Sequence, residues 1–248
     1  MNRSSTPAEY LQQTFAAEGI ILDPARTDAF LKYAEILAEK NAVMNLTAIT
    51  EFGDVIHKHF LDSCAPARLP WFPKEGGASL IDVGSGAGFP GIPLKILYPE
   101  LEVTLLDSLK KRVNFLNEVI EARGLEGIKA IHARAEDGAR QEALRECFDV
   151  AVSRAVAALP VLSEYCLPYV KVGGSFLAWK GSGAEAEAEA AKGAAKKLGG
   201  KAPEMTVFTL PGADGEILGR SFVRIVKTAP TPKKYPRKAG TAAKSPLT

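Results

Sequence analysis

From Ser79 onward the chain alternates short β-type runs with helical ones, and no other feature limits its possible folds so strongly. The spacing predicts strands over 79–83, 102–106, 128–132, 148–153, 175–179, 207–210 and 222–226. Helices are expected over 91–97, 109–123 and 159–170, with an alanine-rich helix around 184–198. In that last segment Glu185, Glu189, Lys192 and Lys196 stand three and four residues apart, where opposite charges support one another on a helix. Strands separated by helices build a mostly parallel sheet covered on both faces, an α/β fold. The last two strands lie close in sequence and are expected to pair antiparallel at one edge.

The first 70 residues follow a different rhythm. Pro7 opens a helix that should stop at Gly19. Asp23 caps a second, with Pro24 at its first position, and Phe30, Leu31, Ala34, Leu37 and Ala38 recur at helical spacing. A third, short helix is expected from Phe52 to about residue 65, followed by "RLPWFPKEGG" (68–77), which has the composition of a linker. With 248 residues, 46% of them hydrophobic, the chain can form one substantial domain and a small addition. The expected organisation is an N-terminal helical region over 1–70, an α/β domain over 71–230 and a basic tail over 231–248.

The net charge of +2 hides an asymmetry. Eight of the basic residues lie at or beyond Arg220, where no acid follows, so the rest of the chain is net acidic. A cationic arm on an acidic body suits a polyanionic partner, or simply keeps the end of the chain soluble. Cys64, Cys147 and Cys166 are an odd number with no CxxC pairing, which points to a reducing compartment and to no metal site. "MNRSSTPAEYLQQ" is too polar for a signal peptide, and no run of 18 apolar residues occurs. A soluble, cytoplasmic protein without a membrane partner is expected, with a monomer as the default.

The stretch "LIDVGSGAGFPGIP" (80–93) ends the first strand in an acid and a run of closely spaced glycines. A chain does this where its backbone passes close to a ligand. In open α/β sheets that place is the carboxyl end of the strands. No GxxxxGK[ST] occurs, so a Walker loop is excluded. Gly86, Gly88 and Gly91 formally satisfy the dinucleotide fingerprint GxGxxG, but two residues too late, and Pro90 and Pro93 interrupt the helix that should follow. Asp82-Val-Gly84-Ser-Gly86-Ala-Gly88 resembles instead the first motif of the S-adenosylmethionine methyltransferases. That resemblance implies S-adenosylmethionine as cofactor, with these residues at its site. The second strand leads to Asp107, whose short carboxylate can accept both hydroxyls of a ribose. A nicotinamide-dependent dehydrogenase would use the same acid, and Asp107 also suits capping the next helix.

The match extends beyond one motif. "NLTAI", "HKHFLDS", "IDVGSGAGFPGIPL", "LLDSLKKRVNFL", "ARAED", "FDVAVSRAVA" and "KKYPRKAGT" occur in the order in which the glucose-inhibited division protein B family carries them. The chain is similar to that family along nearly its whole length. The resemblance implies a class I methyltransferase fold of the Rossmann-like kind. It also implies methylation of N7 of a guanine in bacterial 16S ribosomal RNA, free or within the small subunit or its precursor. By the same resemblance Gly84, Phe89, Ala135, Glu136 and Arg154 would line the cofactor pocket, with Asp107 on the ribose. Arg154 is the candidate for positioning substrate and methyl group; the alternative is a surface arginine that pairs with a nearby acid. Lys110, Lys111, Arg112 and Lys180, with Lys233, Lys234, Arg237 and Lys238 of the tail, would contact RNA phosphates.

The expected chemistry agrees with what the sequence omits. After the fourth strand stands Ser153-Arg154-Ala155, not the Asn/Asp-Pro-Pro-aromatic motif of many amine methylases. Cys147 precedes that strand and reads as a small hydrophobe, not as the nucleophile that pyrimidine C5 methylation needs. Guanine N7 carries a lone pair and no proton, so it can attack a sulfonium methyl in line without a general base. A non-catalytic RNA-binding protein on the same fold is the remaining alternative.

Overall fold

A computed structural model describes residues 5–248. Residues 1–4, part of the polar N-terminus discussed above, lie outside the described residues. Seven strands form one sheet in the order β3-β2-β1-β4-β5-β7-β6. They are β1 (Ser79–Val83), β2 (Glu102–Asp107), β3 (Ile128–His132), β4 (Phe148–Arg154), β5 (Val170–Lys180), β6 (Glu204–Pro211) and β7 (Ile217–Val226). The first five run parallel, and β7 pairs antiparallel with both β5 and β6. The strand order reverses between β1 and β4, which opens a crevice beyond their carboxyl ends.

Helix α1 (Pro7–Ala16) starts in a capping box, in which Thr6 accepts from Glu9 N and the Glu9 carboxylate accepts from Thr6 N. Helix α2 (Pro24–Met44) is capped by Asp23 at its start and by left-handed Asn45 at its end. The third expected helix is not regular. A turn α3 (Phe52–Asp54) leads into a π-helical stretch Val55–Leu61, then α4 (Asp62–Cys64) and a tight 3-10 turn Ala65–Arg68. The widened stretch buries His57 and His59 together with Val55, Ile56, Phe60 and Leu61. Both imidazoles are committed to distant partners: His57 Nδ1 meets Pro211 O at 2.6 Å, and His59 Nε2 meets Thr47 Oγ1 at 2.8 Å. π-Turns of this kind recur at functional sites.

Side chains alternate between the two faces of the sheet. Leu80, Val103, Leu105, Val150 and Val152 join Phe15, Phe30, Tyr33, Leu37 and Phe60 in one core. The N-terminal helices therefore share their buried apolar side chains with the sheet. Also in this layer are α5 (Gly91–Leu97) and α6 (Lys110–Arg123). On the other face Ile81, Val83, Ala151, Phe176 and Val223 pack under α7 (Ala135–Gly138), α8 (Leu159–Cys166), α9 (Ala184–Ala190) and α10 (Lys192–Lys197).

Three expectations change in this second layer. The helix expected over 159–170 stops at Cys166, because Pro168 cannot donate to continue it, and Val170 already pairs with Phe148. The alanine-rich helix breaks at Ala191, and Gly193 there meets the last residue, Thr248, too closely for any side chain. Lys192 pairs with Glu189, but Glu187 turns away to Lys180 and to Leu159 N. The tail, expected as a cationic arm, is docked against the body and ends in α11 (Thr241–Lys244). Tyr235 and Leu247 enter the second core, and Arg145 donates to Thr231 O and Tyr235 O.

Candidate active site

Beyond the carboxyl ends of β1, β2 and β4 lies a cavity of about 650 Å³. The turn after β1 forms its floor. Gly84 N and Ser85 N donate to Leu106 O, which holds the turn against β2. Gly84 has φ +80, and a Cβ there would stand 2.6 Å from Val156 Cγ2. Gly86 has φ +60, and an added Cβ would meet nothing nearer than Gly84 O at 4.0 Å. Its free side therefore faces open cavity, a cradle that any side chain would fill.

Asp107 stands next to this turn and is 3% exposed. Its Oδ2 accepts from Gly86 N at 2.9 Å and its Oδ1 from Leu109 N at 2.8 Å. It thus steadies the glycine turn and the segment leading into α6 while lining the cavity, but it does not cap that helix, whose N-cap is Leu109 with no side-chain cap bond. Each carboxylate oxygen keeps a second lone pair for a ligand hydroxyl. Asp107→Ala is expected to weaken cofactor affinity at least about tenfold, since an acceptor pair and the Gly86 anchor are lost together. Calorimetry with S-adenosylmethionine checks this, and unchanged affinity would remove Asp107 from the site.

The opposite wall is built around Arg154. Its guanidinium donates to Asp62 Oδ2 at 2.8 Å, Lys58 O at 3.0 Å and His59 Nδ1 at 3.1 Å. It also lies 5.0 Å from the centre of the Phe89 ring, on which His59 stacks at 4.4 Å. Asp62 is itself shared, since its Oδ1 accepts from Arg220 Nε and its backbone oxygen from Trp179 Nε1. Arg154 therefore lines the cavity and is paired with a buried acid.

Ala135 and Glu136 line the cavity. Glu136 Oε1 accepts from Gly240 N at 2.7 Å, so the tail closes this side, and Ala243 of α11 also lines it. Asp62 and the tail reach the site through long-range partners that leave no local pattern, although both fall in family segments, "HKHFLDS" and "KKYPRKAGT". Thr47 and His59 also line the cavity, and both lie in quoted family segments, "NLTAI" and "HKHFLDS".

Two of the expected cofactor residues stand outside the cavity. A Cβ on Gly88 would strike Ile92 and the Tyr33 hydroxyl, so this glycine serves packing. Asp82 is fully buried behind the turn, where Oδ2 accepts from Gly91 N at 2.9 Å and Oδ1 has no partner. Burial raises its pKa to about 7, against the lowering pull of the Gly91 N–H and of Arg154. A folded pKa above the ordinary aspartate value of 3.8 means that the native state keeps a proton which the unfolded chain releases. Stability from this group is full below about 3.8 and is lost as pH rises through about 7. Asp82→Asn should therefore raise Tm relative to the parent more at pH 8 than at pH 4.5. An equal difference at the two pH values would show that Asp82 is ionised when folded.

The expected RNA contacts divide. Lys110, Lys111, Lys233, Lys234 and Lys238 are exposed, and Arg112 lines the cavity, 3.6 Å from Asp107. Lys180 is held instead by Glu187 at 2.7 Å with its side chain 10% exposed, and Arg237 is held by Glu164. Their charge is neutralised inside the protein, which a count of cations in sequence cannot show. Among the described residues no group of three or more His, Cys, Asp or Glu is arranged to hold a metal, and no helix is long and apolar enough to cross a membrane.

The profile of the GidB family, rRNA small subunit methyltransferase G, matches residues 26–213. The "Ribosomal RNA small subunit methyltransferase G" of Acetivibrio thermocellus is 50% identical over 230 residues, covering 93% of this chain and 92% of that protein. The protein of the same name from Halalkalibacterium halodurans is 50% identical over 236 residues, covering 95% and 97%. Among solved structures, a predicted O-methyltransferase from Agrobacterium tumefaciens aligns with a TM-score of 0.53 at 20% identity, covering 70% of this chain and 81% of that one. It shares the fold alone. The nicotinamide alternative and the non-catalytic one both lose their ground against these relatives. The chain belongs to the GidB family of small-subunit ribosomal RNA methyltransferases.

Proposed function

We propose that this enzyme methylates N7 of one guanine in 16S ribosomal RNA, with S-adenosylmethionine as the methyl donor. The observation that carries the proposal is the open side of Gly86 facing the cavity next to the Asp107 carboxylate. A ribose fits against Asp107, an adenine amine fits the second oxygen of Glu136, and the glycine turn admits the amino acid end. When bound, the cofactor supplies an electrophilic methyl group on sulfur.

The protein's own residues provide enclosure and orientation. Phe89 offers an apolar face, and Arg154 is fixed by Asp62, Lys58 and His59, so little of its position remains to be set on binding. Positioning of this kind can contribute about 7–11 kcal/mol to a two-body reaction. No proton has to leave guanine N7. In keeping with that, the His59 imidazole on the cavity wall has both nitrogens engaged by protein groups. The exposed lysines near the mouth, Lys110 and Lys111, would meet phosphates in a salt-dependent way.

Unmethylated small-subunit rRNA is incubated with enzyme and donor, then treated with borohydride and aniline, which cleave at N7-methylguanosine. Cleavage at one position is expected. Methyl incorporation without cleavage would place the transfer on another atom and overturn the proposal.

A further inference from the structure

Thr47 is held more firmly than its place in a loop requires. Asn41 Nδ2 donates to Thr47 O at 2.9 Å, and Thr47 N donates to Asn41 Oδ1 at 2.8 Å. The hydroxyl is engaged as well: Thr47 Oγ1 lies 2.8 Å from His59 Nε2 and accepts from Ile49 N at 3.0 Å. The residue is half-buried and lines the cavity.

The direction of the bond to His59 is set from the other side of the ring. Arg154 Nη2 is 3.1 Å from His59 Nδ1, and a guanidinium can only donate. Nδ1 is therefore the acceptor, and the hydrogen of the neutral ring sits on Nε2. Burial first, and then the Arg154 charge, lowers the His59 pKa to about 3, so the ring is neutral at physiological pH. Nε2–H thus donates to Thr47 Oγ1. A hydroxyl has two acceptor positions and one hydrogen. Here His59 and Ile49 fill both acceptor positions. The hydroxyl hydrogen remains, and among the described residues it has no acceptor.

We propose that Thr47 tells guanine from adenine in the substrate, its hydroxyl donating to guanine O6 next to the reacting N7. The proposal rests on the N7 assignment above. On this edge guanine presents two acceptors, N7 and O6, whereas adenine presents N7 and an amino donor. A free threonine would suit either base, because it can donate or accept. With both lone pairs occupied Thr47 can only donate, so an adenine amine would face a second donor. Selection is strong where a wrong base leaves polar groups unpaired in a closed site. Asn41, His59 and Arg154 are positioning residues for this hydrogen.

The full-length enzyme and its Thr47→Val and Thr47→Ser variants are compared on two rRNAs. One has guanine at the methylated position, and the other has 2-aminopurine there, which keeps N7 and lacks O6. The parent enzyme should lose roughly tenfold in kcat/KM on 2-aminopurine. Thr47→Val should lose roughly tenfold on guanine and nothing further on 2-aminopurine. Thr47→Ser should recover guanine activity to within about threefold of the parent. Affinity for S-adenosylmethionine should be the same in all three proteins. Equal losses by Thr47→Val on both RNAs, no loss on guanine, or failure of serine to restore activity would each overturn the proposal. If the parent puts no methyl on N7 of the guanine RNA, the assignment of N7 fails first and this proposal with it.

Discussion

Arg237→Ala lowers the stability of the protein by about 3 kcal/mol, because it strands a buried carboxylate. Glu164 lies on α8 with its side chain 1% exposed. Both of its oxygens accept from the Arg237 guanidinium, at 2.6–3.1 Å, and Oε1 also accepts from Arg237 N. After the substitution only the backbone N–H would remain as a partner. The loss should appear as a lower urea midpoint with an unchanged slope. Cofactor affinity should fall too, since Gly240 N, three residues on, bonds Glu136 on the cavity wall. Adding Glu164→Gln should restore part of the stability, because a neutral amide is easier to leave buried. An unchanged midpoint would mean that the tail is not docked in solution. Truncation from Thr231 acts through the same contacts. It removes Tyr235 and Leu247 from the core along with the exposed lysines, so it disturbs folding and the cavity as well as RNA contact.

Gly86→Val is expected to reduce affinity for S-adenosylmethionine at least about a hundredfold. An added Cβ meets no protein atom closer than 4.0 Å, so the valine methyls would occupy the cavity itself beside Asp107. The φ of +60 adds strain of about 1–2 kcal/mol for any L side chain. Gly76→Val separates the two effects, because Gly76 has φ +82 with nothing within 4 Å and is not part of the cavity wall. It should lose stability to a similar degree and keep full affinity. Normal binding by Gly86→Val would contradict the close approach inferred from the turn.

How far the sequence reveals this molecule depends on whether the determining contacts are local. The strand and helix pattern from Ser79 onward carries its own period, so the parallel sheet and its antiparallel edge are readable. Gly84, Gly86 and Asp107 sit at strand ends, and topology alone delivers those ends to one crevice. Asp82 misleads because it is next to the glycines in sequence but points behind the turn to Gly91 N. Glu187 and Glu164 are equally silent in one dimension, although they neutralise two of the cations expected to meet RNA. The clamp of Asn41 and His59 on Thr47 joins three helical or loop segments that no spacing rule connects.

The central claim is that the cavity beyond β1, β2 and β4 holds the methyl donor against Asp107 and opposite Arg154. A crystal structure with S-adenosylhomocysteine, the demethylated product, tests it most directly. The ribose hydroxyls should lie within hydrogen-bond distance of Asp107, and the sulfur should stand on the side of Phe89 and Arg154. Ligand density elsewhere, or a ribose turned away from Asp107 within the same cavity, would contradict it.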